Sequence, residues 1–256
     1  YFVGEQREFH VTLDNTNGMT YTSLSASIFV DNIGLSDYES IEVLRPGTTD
    51  QWITLTPVVE DNGLKLEIGP TSNYPVAAGG SVTLTFRGTF RTAGNYPGTG
   101  TLYSHDGTEP VAIASYSATM NVYQRPVITS INLAGPYHVG AMGTFSVTMD
   151  NPADGYTYTS MSASIEIKNI SLADFTSIEV ENPISGNWIT LTAVEQGDNV
   201  VINIPATSAF ATGPGDSWTL NFRGAFKSAG SYPASGTLYC HDSGEAVAIG
   251  SLSDTM

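Results

Sequence analysis

The residues with the greatest chemical reach in this sequence are Ser104-His105-Asp106 and, in a closely similar setting, Cys240-His241-Asp242. Serine or cysteine, histidine and aspartate are the members of a nucleophilic relay, in which a base takes the nucleophile's proton and a carboxylate orients the base. Three consecutive residues on a strand or tight turn point apart, however, so their adjacency argues against a relay and for turn and edge residues. The exchange of Ser104 for Cys240 fits a small packed residue, not a shared metal or redox role. A single cysteine also rules out an intrachain disulfide. No GxSxG, HExxH, CxxC or phosphate-cradling glycine loop occurs, and the chain is read as non-catalytic.

A second candidate chemistry is cation binding. Acidic residues recur at matching places: Asp14 with Asp150, Asp37 with Asp174, Asp106 with Asp242, and Glu109 with Glu245. Calcium takes about six to eight oxygens, often from such loops. Asp106, Glu109, Asp242 and Glu245 are therefore the candidate calcium ligands, with HDGTEP the first place to look. No DxDxDG run is present, so solvated turn acids are the simpler reading and no cofactor is required. A third candidate is aromatic. The chain holds 13 tyrosines, and a planar row of them could stack on a glycan. Yet Tyr21, Tyr96 and Tyr103, with their counterparts Tyr158, Tyr232 and Tyr239, sit in strand or turn contexts where half-buried packing is the commoner use. One glycosylation sequon, Asn169-Ile170-Ser171, has Gly34 in place of its serine in the matching segment.

These matches follow from an internal repeat. Tyr1 pairs with Tyr137 and Met120 with Met256, so residues 1–120 and 137–256 are two copies flanking a connector, 121–136. Within each copy the apolar residues alternate. Phe9, Val11 and Leu13 correspond to Phe145, Val147 and Met149; Leu24, Ala26, Ile28 and Val30 correspond to Met161, Ala163, Ile165 and Ile167. That period of two is the mark of a half-buried strand. Asp61-Asn62-Gly63 is a hairpin signal, and Gly88 and Gly224 of the recurring RGxF mark a bulge or close packing. About eight strands per copy, spaced as in sandwiches and without a helical period, predict an all-β chain. The architecture expected is two tandem Ig-like β-sandwiches of Greek-key type, repeat 1 over 1–123 and repeat 2 over 124–256.

Composition narrows the partners. A formal net charge of −16 with only nine Lys and Arg speaks against nucleic acid and anionic membrane surfaces, and no apolar run is long enough to insert as a helix. An acidic, lysine-poor chain suits an exterior environment.

The connector reads as more than a linker. Val127, Thr129, Ile131 and Leu133 alternate with Ile128, Ser130 and Asn132, predicting the first strand of the second sandwich and nominating those four residues for assembly. Only Gln124-Arg125-Pro126 separates it from the last strand of the first sandwich, which predicts a stiff tandem. No such strand stands ahead of Tyr1. Three readings stay open: the strand belongs to a preceding part of a longer array, a neighbouring chain donates it, or the first sandwich closes without it. The lack of a further connector after Met256 counts against simple donation.

The stretch GPYHVGAMGTFSVTMDNPADGYTYTSMSASI, with SWTLNFRGAFKSAGSYPASGTLY, resembles the bacterial and archaeal Ig-like repeats of large secreted and cell-surface proteins. The resemblance spans nearly the whole chain but carries no functional residues. It implies an extracellular structural or adhesive protein, a segment of a filament, surface layer or adhesin stalk assembling through strand edges. Its partners would be itself or neighbouring repeats. The alternative is a carbohydrate- or other ligand-binding module, such as an accessory domain pair of a secreted enzyme.

Overall fold

A computed structural model of the chain describes residues 1–16, 18–45, 47–72, 75–133, 138–242 and 246–255. The chain divides into two compact units, Tyr1–Tyr123 and Gln124–Met256. Unit 1 contains β1 (Gln6–Asp14), β2 (Leu24–Asp31), β3 (Tyr38–Leu44), β4 (Trp52–Thr54), β5 (Val58–Glu60), β6 (Gly63–Thr71), β7 (Ser81–Phe90), β8 (Gly94–Ser104) and β9 (Val111–Val122). Unit 2 contains β10 (Val127–Leu133), β11 (Met142–Asp150), β12 (Met161–Lys168), β13 (Phe175–Glu181), β14 (Trp188–Thr190), β15 (Ala193–Gln196), β16 (Asn199–Thr207), β17 (Ser217–Phe226), β18 (Pro233–Cys240) and β19 (Val247–Thr255). Both units are β-sandwiches, and among the described residues the chain is all-β apart from two short 3-10 turns. Among the described residues no helix is long and apolar enough to cross a membrane.

In unit 1 the sheets run β1-β7-β3-β4 and β5-β6-β2-β8-β9. Unit 2 repeats this as β11-β17-β13-β14 and β15-β16-β12-β18-β19, with β10 added outside β11. Every pairing between named strands is antiparallel.

Alternation explains which faces meet. In β7, Val82, Leu84 and Phe86 are buried while Ser81 and Thr83 are exposed, and the buried set faces Leu24, Ala26, Leu66 and Leu102 of the other sheet. Phe9 stacks on Phe86 at 5.2 Å and Phe145 on Phe222 at 4.8 Å between ring centroids, each across a directly paired register. A second cluster, with Val30, Leu64, Phe90, Tyr96 and Val122, fills the other end of unit 1.

The RGxF glycines are close-packing positions beside a bulge in the facing strand. A Cβ on Gly88 would lie 3.4 Å from the Ser40 carbonyl oxygen, and one on Gly224 would lie 3.2 Å from that of Ser177. The register of β3 and β13 shifts at those places.

The inward face of β10 differs from the one expected by simple alternation. The register against β11 shifts between Ile128 and Ser130, leaving Thr129 as the extra residue. Ile128 then stands opposite Met149 and Ile131 opposite Val147, on one face, and the backbone register continues to Leu133 opposite Phe145. Ile128 is 8% exposed whereas Val127 is 48% exposed, and the Thr129 hydroxyl donates to the Thr148 carbonyl at 3.4 Å. The face of β10 that meets the core is thus that of Ile128 and Ile131, with Val127 and Thr129 off it.

Candidate functional site

The Ser-His-Asp neighbours come apart in space. His105 Nε2 lies 2.7 Å from Ser25 Oγ on β2, and His241 Nε2 lies 2.7 Å from Ser162 Oγ on β12. Asp106 turns instead to the segment before β2, accepting from the Thr22 N–H at 2.8 Å, the Thr22 hydroxyl and the Ser23 N–H at 3.1 Å. The Ser104 hydroxyl reaches the same carboxylate only at 3.4 Å, and Ser104 itself is buried at the end of β8. Asp242 repeats the clamp on the Thr159 N–H and hydroxyl. These donors hold the Asp106 carboxyl below the usual carboxylate range, the Thr22 hydroxyl contributing most. Cys240 is buried, and burial pushes its thiol up, the reverse of an activated nucleophile. Each unit therefore holds a Ser–His pair with its aspartate drawn off to pin a loop.

The same clamp bears on the calcium candidates. Asp106 and Asp242 point their oxygens at protein donors, Glu109 is exposed, and Glu245 lies outside the described residues. Among the described residues no group of three or more His, Cys, Asp or Glu side chains gathers in metal-binding geometry. The recurring Asp174 has the same kind of duty: it accepts from Ser228 Oγ at 2.5 Å and from the Ser171 N–H and hydroxyl, which keeps its carboxyl low. The tyrosines split by position. Tyr21, Tyr96 and Tyr158 are buried, and Tyr103, Tyr232 and Tyr239 half-buried. The Tyr96 hydroxyl donates to the Thr92 carbonyl at 2.9 Å and that of Tyr232 to the Ser228 carbonyl at 3.2 Å.

Two further constellations join residues far apart in the chain. Arg87 Nε pairs with Glu42 Oε2 at 2.5 Å while its guanidinium lies 4.2 Å over the Trp52 ring, and Arg223 does the same with Glu179 and, at 4.4 Å, Trp188. Their signal in the sequence is the joint recurrence of SIEV (40–43 and 177–180), WIT (52–54 and 188–190) and RGxF (87–90 and 223–226). In unit 2, Asn132, Thr144, Ser146, Glu181, Trp188 and Asn221 line an outer-face concavity of about 300 Å³.

The most pronounced asymmetry between the copies is at the strand edge. β10 covers β11 in unit 2; the carbonyl of Pro126, just before it, approaches Gly250 and the Ile128 side chain approaches Gly236, both of the opposite sheet. In unit 1, β1 is the end of its sheet. Beside it opens an apolar cavity of about 230 Å³, lined by Phe9 and Val11 of β1, Gly100 of β8, and Tyr116, Ala118 and Met120 of β9. Residues that β10 screens in unit 2 are correspondingly more open here. Phe9 is half-buried where Phe145 is buried, Ile113 half-buried where Ile249 is buried, and Tyr116 is 51% exposed.

No protein-family model matches the chain, and no curated protein matches it. Among solved structures it is similar to the C-terminal domain of the Streptococcus agalactiae AgI/II polypeptide BspA, with 8% identity over 99% of this chain and 93% of that one at a TM-score of 0.45. It is also similar to the C-terminal domain of the Streptococcus pyogenes antigen I/II-family protein AspA, with 11% identity over 99% and 93% at a TM-score of 0.43. A third similar structure is AvmM, which catalyses macrocyclisation in alchivemycin A biosynthesis, with 11% identity over 50% of this chain and 85% of that one at a TM-score of 0.39.

Proposed function

We propose that this chain is a structural part of an extracellular assembly, a segment of a filament, surface layer or adhesin stalk whose modules join through β-strand edges. The observation that carries this reading is that the β1 edge of unit 1 is open and apolar whereas the corresponding edge of unit 2 is covered. An unpaired edge next to apolar surface favours strand addition, because the added strand satisfies backbone groups and buries side chains together. In this reading the chain performs no catalysis: its imidazoles and carboxylates fasten loops to strands. The acidic, lysine-poor composition supports a place outside the cell, with the same protein or neighbouring repeats as partner.

Electron microscopy and light scattering on the purified chain test the proposal. Concentration-dependent filaments or sheets are expected, and a strict monomer that binds glycans sinks it. Calcium has its own test, melting with and without millimolar metal. A rise in Tm shows calcium binding to the folded chain, its loss on Glu109→Gln or Glu245→Gln places the ligands there, and no change removes calcium from the account.

The outer face of unit 2 favours a second reading, a carbohydrate module. An indole flanked by amide, hydroxyl and carboxylate groups is the chemistry that recognises a sugar ring. Glycan-array binding lost on Trp188→Ala, with unit 2 still folded, is its signature.

A further inference from the structure

We propose that the edge of β1 is a receptor for one added antiparallel strand of the β10 kind, carrying apolar residues in the pattern Ile-x-x-Ile-x-Leu. The inference deepens the edge-assembly reading and rests on it. Its ground is that the molecule contains the occupied form of the same receptor.

In unit 2, Ile128, Ile131 and Leu133 stand opposite Met149, Val147 and Phe145. The repeat places Leu13, Val11 and Phe9 at those positions of β1. The occupant therefore lies with its two isoleucine-like positions opposite Leu13 and Val11 and its leucine-like position opposite Phe9. Its inner side chains enter the space beside Gly100, the counterpart of Gly236, where an added Cβ would lie 3.9 Å from Ile128 Cδ1. β1 suits the role. Its nine residues pair without interruption to β7, and it carries no proline or bulge that would blunt the edge. Chemistry at one end differs. A Cβ at Gly250 would fall 2.9 Å from the Pro126 carbonyl oxygen, and unit 1 has Ala114 there. The occupant thus enters farther from β9 than β10 does from β19.

The source is a further repeat of this sandwich type, not the β10 of a second copy. Within the chain β10 is already paired along β11 and packed against β19, so donating it would uncover one edge to cover another.

The test adds a synthetic peptide of residues 125–133, with terminal lysines for solubility, to the full chain and follows amide hydrogen exchange. Saturating peptide is expected to slow exchange in Gln6–Asp14 at least tenfold, and a peptide carrying Ile131→Asp is expected to do nothing. Ala118→Trp, which fills the cavity mouth from β9, is expected to weaken binding of the native peptide at least tenfold without lowering Tm. Peptide that leaves β1 exchange unchanged, or protects a different edge, overturns the proposal. So does a dimer in which Val127–Leu133 loses protection as Gln6–Asp14 gains it, since that makes the second copy the source. The readouts separate the two readings. Filaments without peptide protection of β1 leave edge assembly standing and remove this receptor; a lasting monomer whose β1 is protected by peptide does the reverse.

Discussion

Asp106 illustrates how a residue suited to catalysis serves as a fastener. Its carboxylate receives the Thr22 N–H and hydroxyl and the Ser23 N–H, and those donors favour the charged form. A carboxyl depressed on folding contributes stability above its unfolded pKa, and that contribution is lost as pH falls through the folded one. Asp106→Asn should therefore lower the urea midpoint at pH 7, and the gap from the parent should close as pH drops below the ordinary aspartate value of 3.8. A gap independent of pH would mean that the ionised clamp contributes nothing. Glycine supplies a second prediction at this scale. A Cβ on Gly230 would stand 2.5 Å from Tyr232 Cζ, and one on Gly94 would stand 3.1 Å from Tyr96 Cζ. Gly230→Ala should cost about 1–3 kcal/mol in denaturant unfolding, and Gly94→Ala less, because the second contact needs a smaller shift of the ring. Equal costs would show that the rings move freely.

At the scale of elements, the central strands β7 and β17 carry the most. Phe86 is 0% exposed and Phe222 1% exposed, each stacked on the phenylalanine of its neighbouring strand. Truncating either to alanine should cost about 3–5 kcal/mol, read from denaturant midpoints, with Thr83→Ala on the exposed face near neutral. This level was the most legible in the sequence. Phe9-x-Val11-x-Leu13 and Leu24-x-Ala26-x-Ile28-x-Val30 declare their faces because strand periodicity is local. The bulge at Thr129 was not legible, since its cause lies in pairing with β11; simple alternation selects Val127 and Thr129 in place of Ile128. The candidate chemistry divides in the same way. Ser25 with His105, and Trp52 with Glu42 and Arg87, are partners only through strand register, which no spacing in the sequence displays.

The whole molecule is an experiment with its own control, because one sandwich fold occurs with and without an outer strand. β1 and β11 have the same inner partners in the same register, β7 and β17, and differ chiefly in what lies outside them. Exchange of an edge amide needs only local opening, whereas an amide enclosed between two paired strands waits for a larger one. Ile128 is buried in unit 2, and Phe145 and Ile249 are buried where Phe9 and Ile113 are half-buried, so separating β10 should uncover apolar surface at about 25 cal/mol per Å². Amides in Gln6–Asp14 should therefore exchange well ahead of their counterparts in Met142–Asp150, while the inner strands β7 and β17 remain comparable. Mass-resolved exchange on the full chain reads both copies in one sample under identical conditions. Ile128→Asp should bring β11 toward the rate of β1 and leave β1 as it was. If β1 and β11 exchange alike in the parent chain, the outer strand contributes no protection, and its absence from unit 1 would create no demand for an added one.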